Sequence, residues 1–387
     1  MQQFSTIFNQ ILHLIPKKAF DKQTRQTRGN KYSKKFTAFN LFSTHLYAQI
    51  RCKESLRDIE TSLNQHRTKW AHLGLRTVSK STLSDANSRI SYTLFESMFY
   101  ECLSKCTNFS AKRKFKFKNP LFALDSTVID LCLNIFEWAK FRKTKGALKL
   151  HCLLDLKSSI PSFIVATTGN VHDAKVAKEG SFPLSPDSIV TFDRGYIDYA
   201  QFNTYEKAGV FFITRVKQNM RCHFLGQHQL PRRKGLSFDA SIQLSNPKQQ
   251  AKYPASLRVV GFKDPDTGKE YVFLTNNFTL SAATIAAIYK SRWEIELFFK
   301  WIKQNLKIKS FLGTSQNAVL TQIWVAMIYF LILSYLKYQT KYRYSLLNLS
   351  RIIQETLLDR RSLLELLGFK PPDFQKIQSE QAQLALF

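Results

Sequence analysis

Acidic residues are in short supply in this chain. Among 387 residues, 28 Asp and Glu face 57 Lys and Arg, a net charge of +29. A chain that repels itself this strongly is matched to a polyanion, with nucleic acid the first candidate and an anionic membrane surface the second. Other absences narrow the choice. The N-terminus, MQQFSTIFNQILHLIP, has no basic residue ahead of its apolar part and no small-residue cleavage site, so no secretory signal is expected. The longest apolar run, Ile323 to Leu336, falls short of bilayer length and is expected to form a buried core helix. The six cysteines include no CxxC pair and no Cys/His cluster with zinc spacing. They read as reduced thiols of a cytoplasmic protein.

What is present divides the chain into six stretches. Residues 1–75 are expected to be helical, with apolar periodicity in Phe4 to Leu14, Phe36 to Ile50 and Leu56 to Leu63, joined by a basic link from Pro16 to Lys35. Short helices around a basic link suit a DNA-binding region, although a solvated linker has the same composition. Residues 76–118 are expected to form one long helix, Ser81 to Cys106, opened by Thr82 and Asp85. A basic strand, AKRKFKFK at 111–118, follows it. From Leu121 the pattern turns to strands, LFALDSTVIDLCL, KLHCLLDL and SFIVATT. Helix and strand then alternate through Ser188 to Phe192, Tyr199 to Lys207 and Val210 to Thr214. Three antiparallel strands followed by alternating helix and strand is the order of a ribonuclease-H-like α/β core, here over 119–215. Residues 216–281 interrupt it with an all-β insertion whose hairpin turns at Pro265–Gly268. The core resumes over 282–310, and 311–387 is a C-terminal helical region.

The segment Tyr289 to Lys307, YKSRWEIELFFKWIKQNLK, organises the rest. At 100° per residue, Arg292, Glu296, Lys300, Lys303 and Lys307 all fall within about 60° of Tyr289, while Glu294 points about 140° away. The opposite side, Ile295, Leu297, Phe298, Phe299, Trp301, Ile302 and Leu306, is an apolar arc fit to dock on a core. Upstream, Asp125 stands inside an apolar strand, where burial is costly unless something positive meets it. Asp193 stands where a buried strand stops, the place at which open α/β sheets put ligand groups. Asp125, Asp193 and Glu296 together make an oxygen-only set suited to Mg²⁺ or Mn²⁺. Two such ions about 4 Å apart activate an attacking oxygen and stabilise a leaving one in phosphoryl transfer. Each acid has a plainer reading as a cap or as an i,i+4 partner, and Asp130 and Asp155 compete for the role.

The spacing Y-x₂-R-x₃-E-x₆-K, read here as Tyr289, Arg292, Glu296 and Lys303, resembles the signature of IS4-type bacterial insertion-sequence transposases. Asp125 in LFALDSTVIDL and Asp193 in TFDRGYID match the family's other two acids, and KLHCLLDL and TTGNVHDA look like family sequence. The resemblance implies cut-and-paste DNA transposition by a DDE enzyme. Asp125, Asp193 and Glu296 would be its metal ligands, Tyr289 and Arg292 would hold the DNA end near the cleaved phosphate, and Lys303 would contact the backbone. Lys300 and Lys307, on the same face but outside the signature, are expected to add affinity for DNA. A homodimer in the synaptic complex is expected. Some relatives stack a tryptophan of the β insertion on a flipped base, and residues 216–281 contain no Trp. Phe or Tyr would have to substitute. A catalytically inactive DNA-binding derivative would keep the charge and fold but would be expected to lose an acid. A ribonuclease-H-like nuclease would use the same metal site.

Overall fold

The computed structural model describes residues 4–33, 35–66, 68, 73, 77–106, 115–142, 145–179, 182–230, 235–308 and 310–368. The chain folds as two compact units, Ser110–Trp301 and Met1–Phe109 with Ile302–Phe387.

The first unit is built on a ten-stranded mixed sheet: β1 (Leu121–Leu131), β2 (Lys140–Arg142), β3 (Lys145–Asp155), β4 (Ile160–Thr168), β5 (Ile189–Phe192), β6 (Phe211–Arg215), β7 (Cys222–Gln227), β8 (Leu236–Leu244), β9 (Leu257–Lys263) and β10 (Glu270–Thr275). The spatial order is β2-β3-β1-β5-β6-β10-β9-β8-β7, with β4 on β3. β1, β3 and β4 form an antiparallel meander, and β5 and β6 add to it in parallel. That is the wiring expected of a ribonuclease-H-like core. The residues after β6 are strands, as expected, but they do not form a separate sheet. β10 pairs antiparallel with β6, so the insertion continues the central sheet outward and carries one short helix, Pro247–Lys252.

Alternation gives each strand two faces. Leu124 and Leu153, opposite one another across β1 and β3, join Val190, Phe192 and Phe212 in a core beneath the helix Tyr199–Lys207, which supplies Phe202 and Tyr205. Phe202 and Phe212 stack with centroids 4.0 Å apart. Asp125 is therefore on the other face. The helix Ala282–Ser291, capped by Ser281, touches β5, β6, β8, β9 and β10. One buried ion pair ties the insertion to this helix's start. Arg258 on β9 grips Asp239 on β8 through two bonds of 2.8 and 2.6 Å, and its remaining Nη1 donates to the carbonyls of Asn277 and Leu280.

The second unit is helical. Its central helix, Gln316–Gln339, is long and apolar enough to cross a membrane, yet most of it is buried against helices Thr93–Ser104, Ala38–Ile50, Lys80–Arg89 and Leu346–Thr356. Trp324 meets Phe99 with centroids 5.3 Å apart. Three sequence expectations need correction. The stretch Ser81 to Cys106 is two helices, not one. The first, Lys80–Arg89, is capped by Ser79 in place of Thr82, and the second is Thr93–Ser104. The Asn317 side chain holds the break, donating to the carbonyls of Asn87 and Ile90 and accepting from the N–H of Tyr92. The basic link also contains a helix, Lys17–Gln26, anchored by Phe20 against Phe39 and Phe42 at 5.3 and 5.6 Å. Of the basic strand expected over 111–118, residues 111–114 lie outside the described residues. Residues 115–118 form no strand, and the rings of Phe115 and Phe117 stack on each other at 5.2 Å. None of the six cysteines is disulfide-bonded.

Candidate active site

Strand register builds the site. In the parallel β1–β5 ladder Leu124 lies opposite Phe192, so the next residue on each strand sets Asp125 beside Asp193. In the β5–β6 ladder Thr191 lies opposite Ile213, and two residues on, Asp193 comes level with Arg215. One row across three strands thus reads Asp125, Asp193, Arg215. Arg215 donates to Asp193 Oδ1 at 3.0 Å.

The third acid arrives from above the row. The segment around it is not one continuous helix. Ala282–Ser291 ends at Arg292, where Arg292 N–H bonds to Tyr289 O and Ile295 N–H to Arg292 O, and a second helix runs Trp293–Asn305. These shorter-period bonds tighten the turn without separating Tyr289, Arg292 and Glu296. Arg292 bridges the acids, donating from Nη1 to Asp125 at 3.0 Å and from Nη2 to Glu296 at 2.5 Å. The ring of buried Tyr289 lies 5.8 Å from both guanidinium carbons, Arg215 and Arg292, within cation–π reach.

The electrostatics follow from this packing. Burial pushes the Asp125 carboxyl up to about 6 against the pull of the Ser126 N–H and Arg292, with Glu296 and Asp193 adding to the rise. Burial also raises Asp193, but the Arg194 N–H and Arg215 outweigh it and hold that carboxyl below its ordinary value. Among the described residues no three His, Cys, Asp or Glu side chains stand as a ready-made metal cluster. Guanidinium groups instead contact all three carboxylates. The donor set nonetheless fits a hard divalent ion: it is all carboxylate oxygen, and Asp125 and Glu296 are close enough to share one cationic partner.

A cavity of about 970 Å³ opens at these residues. Asp193, Arg215, Tyr289, Arg292 and Glu296 line it, and aromatic rings form much of its wall: Phe115, Phe262, Tyr271, Phe273 and Trp293. Trp293 is 58% exposed and Leu297, expected on the apolar arc, is 52% exposed. Glu294, expected to point away, also reaches the cavity and accepts from Ser159 at 3.3 Å. The competing acids have other places. Asp155 caps the β3–β4 turn through Lys157 N–H and Ser158 Oγ, and Asp130 is exposed near the end of β1. Lys300 is exposed one turn after Glu296, and Lys303 is half-buried in the last turn of the same helix. Lys307 lies past the helix end, its ammonium 3.0 Å from Glu54. Arg215 and Trp293 were not singled out in the sequence. Arg215 had no sequence signal, because its register with Asp193 exists only in the sheet, and for Trp293 the signal was its place next to Arg292.

Residues 116–331, which include every residue of this cavity except Phe115, match the family model described as the transposase DDE domain, and residues 3–76 match a domain of unknown function, DUF4372. A putative transposase, y4zB, of Sinorhizobium fredii is 33% identical over 285 residues, covering 73% of this chain and 78% of that one. A probable transposase for insertion sequence element IS5377 of Geobacillus stearothermophilus is 31% identical, covering 69% and 70%. A putative transposase for element IS4SA of Synechocystis is 25% identical, covering 79% and 86%. A piggyBac transposase in a synaptic complex with hairpin DNA superposes with a TM-score of 0.49 at 10% identity, over 94% of this chain and 80% of that one.

Proposed function

This chain belongs to the DDE-type transposases of insertion sequences, and we propose that it binds the terminal inverted repeats of its element, cleaves at the ends and joins them to target DNA. The observation that carries this reading is the row Asp125, Asp193, Arg215 with Arg292 bridging Asp125 to Glu296. Enzymes with this domain use divalent metal ions. Here Asp125, Asp193 and Glu296 would hold two Mg²⁺, with Mn²⁺ able to replace them, and the ions would activate the attacking oxygen and stabilise the leaving one.

The chain's own residues supply orientation and charge. A phosphate brought to the three carboxylates also meets Arg215 and Arg292, whose planar forks suit phosphate oxygens. Tyr289 backs both guanidiniums and limits their movement. Phe262 and Tyr271, half-buried on the insertion's wall of the cavity and backed by the buried Phe273, are the aromatic faces offered to an unstacked base in place of a tryptophan. Lys300, Lys303 and Lys307 add backbone affinity, and two copies act together at paired ends. The reading is tested by incubating the purified protein and Mg²⁺ with DNA carrying the element's ends. Cleavage at the inverted repeats supports it, and cutting of RNA or of unrelated DNA with no preference for those ends refutes it.

Arg292→Lys keeps the charge but cannot reach Asp125 and Glu296 at once. A hydrogen bond to a charged group is worth roughly 1.5–3 kcal/mol. Single-turnover cleavage of pre-bound ends should therefore slow by about ten- to a hundredfold, while gel-shift affinity changes far less. End binding itself should weaken steeply with salt, since each phosphate neutralised releases counterions. Lys300→Ala should make that log–log slope shallower without slowing the cleavage of bound ends.

A further inference from the structure

Behind Asp125, on the opposite face of the sheet, lies a polar cluster that the chemistry above does not use. Ser126 on β1 stands opposite His151 on β3, and Lys149 lies two residues from His151 on the same strand face. The first residue of the helix Asp173–Glu179 brings its carboxylate to all three. Asp173 Oδ1 accepts from Ser126 Oγ at 2.7 Å and lies 3.3 Å from Lys149 Nζ and 3.5 Å from His151 Nδ1. The surroundings hold this oxygen in place. His151 is fully buried, with its Nε2 3.0 Å from Thr167 Oγ1, and burial pulls its pKa down to about 4, so the ring is neutral at pH 7. Lys149 also donates to the carbonyl of Val171 at 3.1 Å, tying down the loop just before Asp173. The Tyr196 hydroxyl, three residues past Asp193, is buried with no well-aligned hydrogen bond among the described residues. Burial above all, then Asp173 and Asp125, raise its pKa.

Ser126 faces both ways. Its hydroxyl goes to Asp173, and its backbone N–H donates to Asp125 Oδ1 at 2.8 Å. The Asp173 carboxylate thus fixes the residue whose N–H fixes the catalytic carboxylate, and such sites need geometry good to about 0.5 Å. A helix-start acid with only a local role would not need a serine, a lysine and a histidine from two neighbouring strands.

We infer that Asp173 is a positioning residue for Asp125, acting through Ser126, with Lys149 holding it and the buried His151 ring packed beside it on the far side of the sheet. The inference rests on the transposase reading, because it takes Asp125 to be a catalytic acid. Losing an outer partner of a metal-binding side chain typically costs about 10- to 100-fold in metal affinity or activity. Asp173→Asn and Ser126→Ala should each slow single-turnover cleavage of pre-bound ends by that factor, with end-DNA affinity and melting temperature nearly unchanged. The double variant should be no slower than either single one, because both changes cut the same link. Ser126→Thr, which keeps the hydroxyl, should restore most of the rate. Mn²⁺ binding to the free protein, followed by electron paramagnetic resonance, should weaken in the same variants without any DNA present. Wild-type rates and Mn²⁺ affinity in Asp173→Asn would overturn the positioning role alone, as would single effects that multiply in the double variant. A wild-type protein that neither binds Mn²⁺ nor cuts the ends would overturn the transposase reading with it.

Discussion

Asp125→Asn, Asp193→Asn and Glu296→Gln should each stop end cleavage, by a factor on the order of 10³ or more, in line with losing a member of a catalytic unit. Each substitution keeps the shape and the acceptor oxygen while removing the charge that would hold a cation. Affinity for uncut end DNA should stay the same or tighten slightly. Phosphate contacts supply most of it, and the deleted carboxylates repel phosphates while occupying Arg215 and Arg292. The decisive measurement pairs a gel-shift titration in Ca²⁺ with cleavage in Mg²⁺ on one DNA. If Glu296→Gln cleaves normally and Glu294→Gln does not, the catalytic glutamate has been misassigned between two acids that both reach the cavity.

The second large effect is on stability. Asp239→Ala leaves Arg258 buried without its bidentate partner; their side chains are only 2% and 6% exposed. Breaking a buried pair in this way costs about 3–5 kcal/mol, a lowering of the melting temperature by roughly 10 °C for a unit of this size. The exposed pair Lys263–Glu270 joins the neighbouring strands β9 and β10 and serves as a control. Glu270→Ala should cost no more than about 1 kcal/mol. Arg258 also holds the carbonyls of Asn277 and Leu280 just before the helix that carries Tyr289. A destabilised Asp239→Ala protein should therefore lose cleavage at a lower temperature than the one at which its circular dichroism signal melts. Loss of both signals at one temperature would show that the pair holds the fold and not the site.

Asp125 and Asp193 stand out in the sequence because a carboxylate inside an apolar strand, or at the end of one, is energetically conspicuous. Tyr289, Arg292 and Glu296 were legible because helical spacing survives a slightly tightened turn at Arg292. Arg215 was not, since its role depends on which strand lies next to β5 and in what register, and no local pattern carries that. Asp173 was hidden for the same reason: three of its contacts come from β1 and β3. The helix Lys17–Gln26 escaped notice because its buried residues are only Phe20 and Thr24, too few to make a stripe amid so many charges. The break before Thr93 was equally silent, being held by Asn317, more than two hundred residues away.

The row Asp125, Asp193, Arg215 also bears on how copies of such an element decay. Side chains alternate faces along a strand, so one codon gained or lost within β1 ahead of Asp125 would turn its carboxylate toward the Leu124 core and Ser126 toward the cavity. A similar change in β5 or β6 would misalign Asp193 or Arg215. Dead copies should therefore be recognisable without any change at the acids themselves, by single-codon changes of length confined to these three strands.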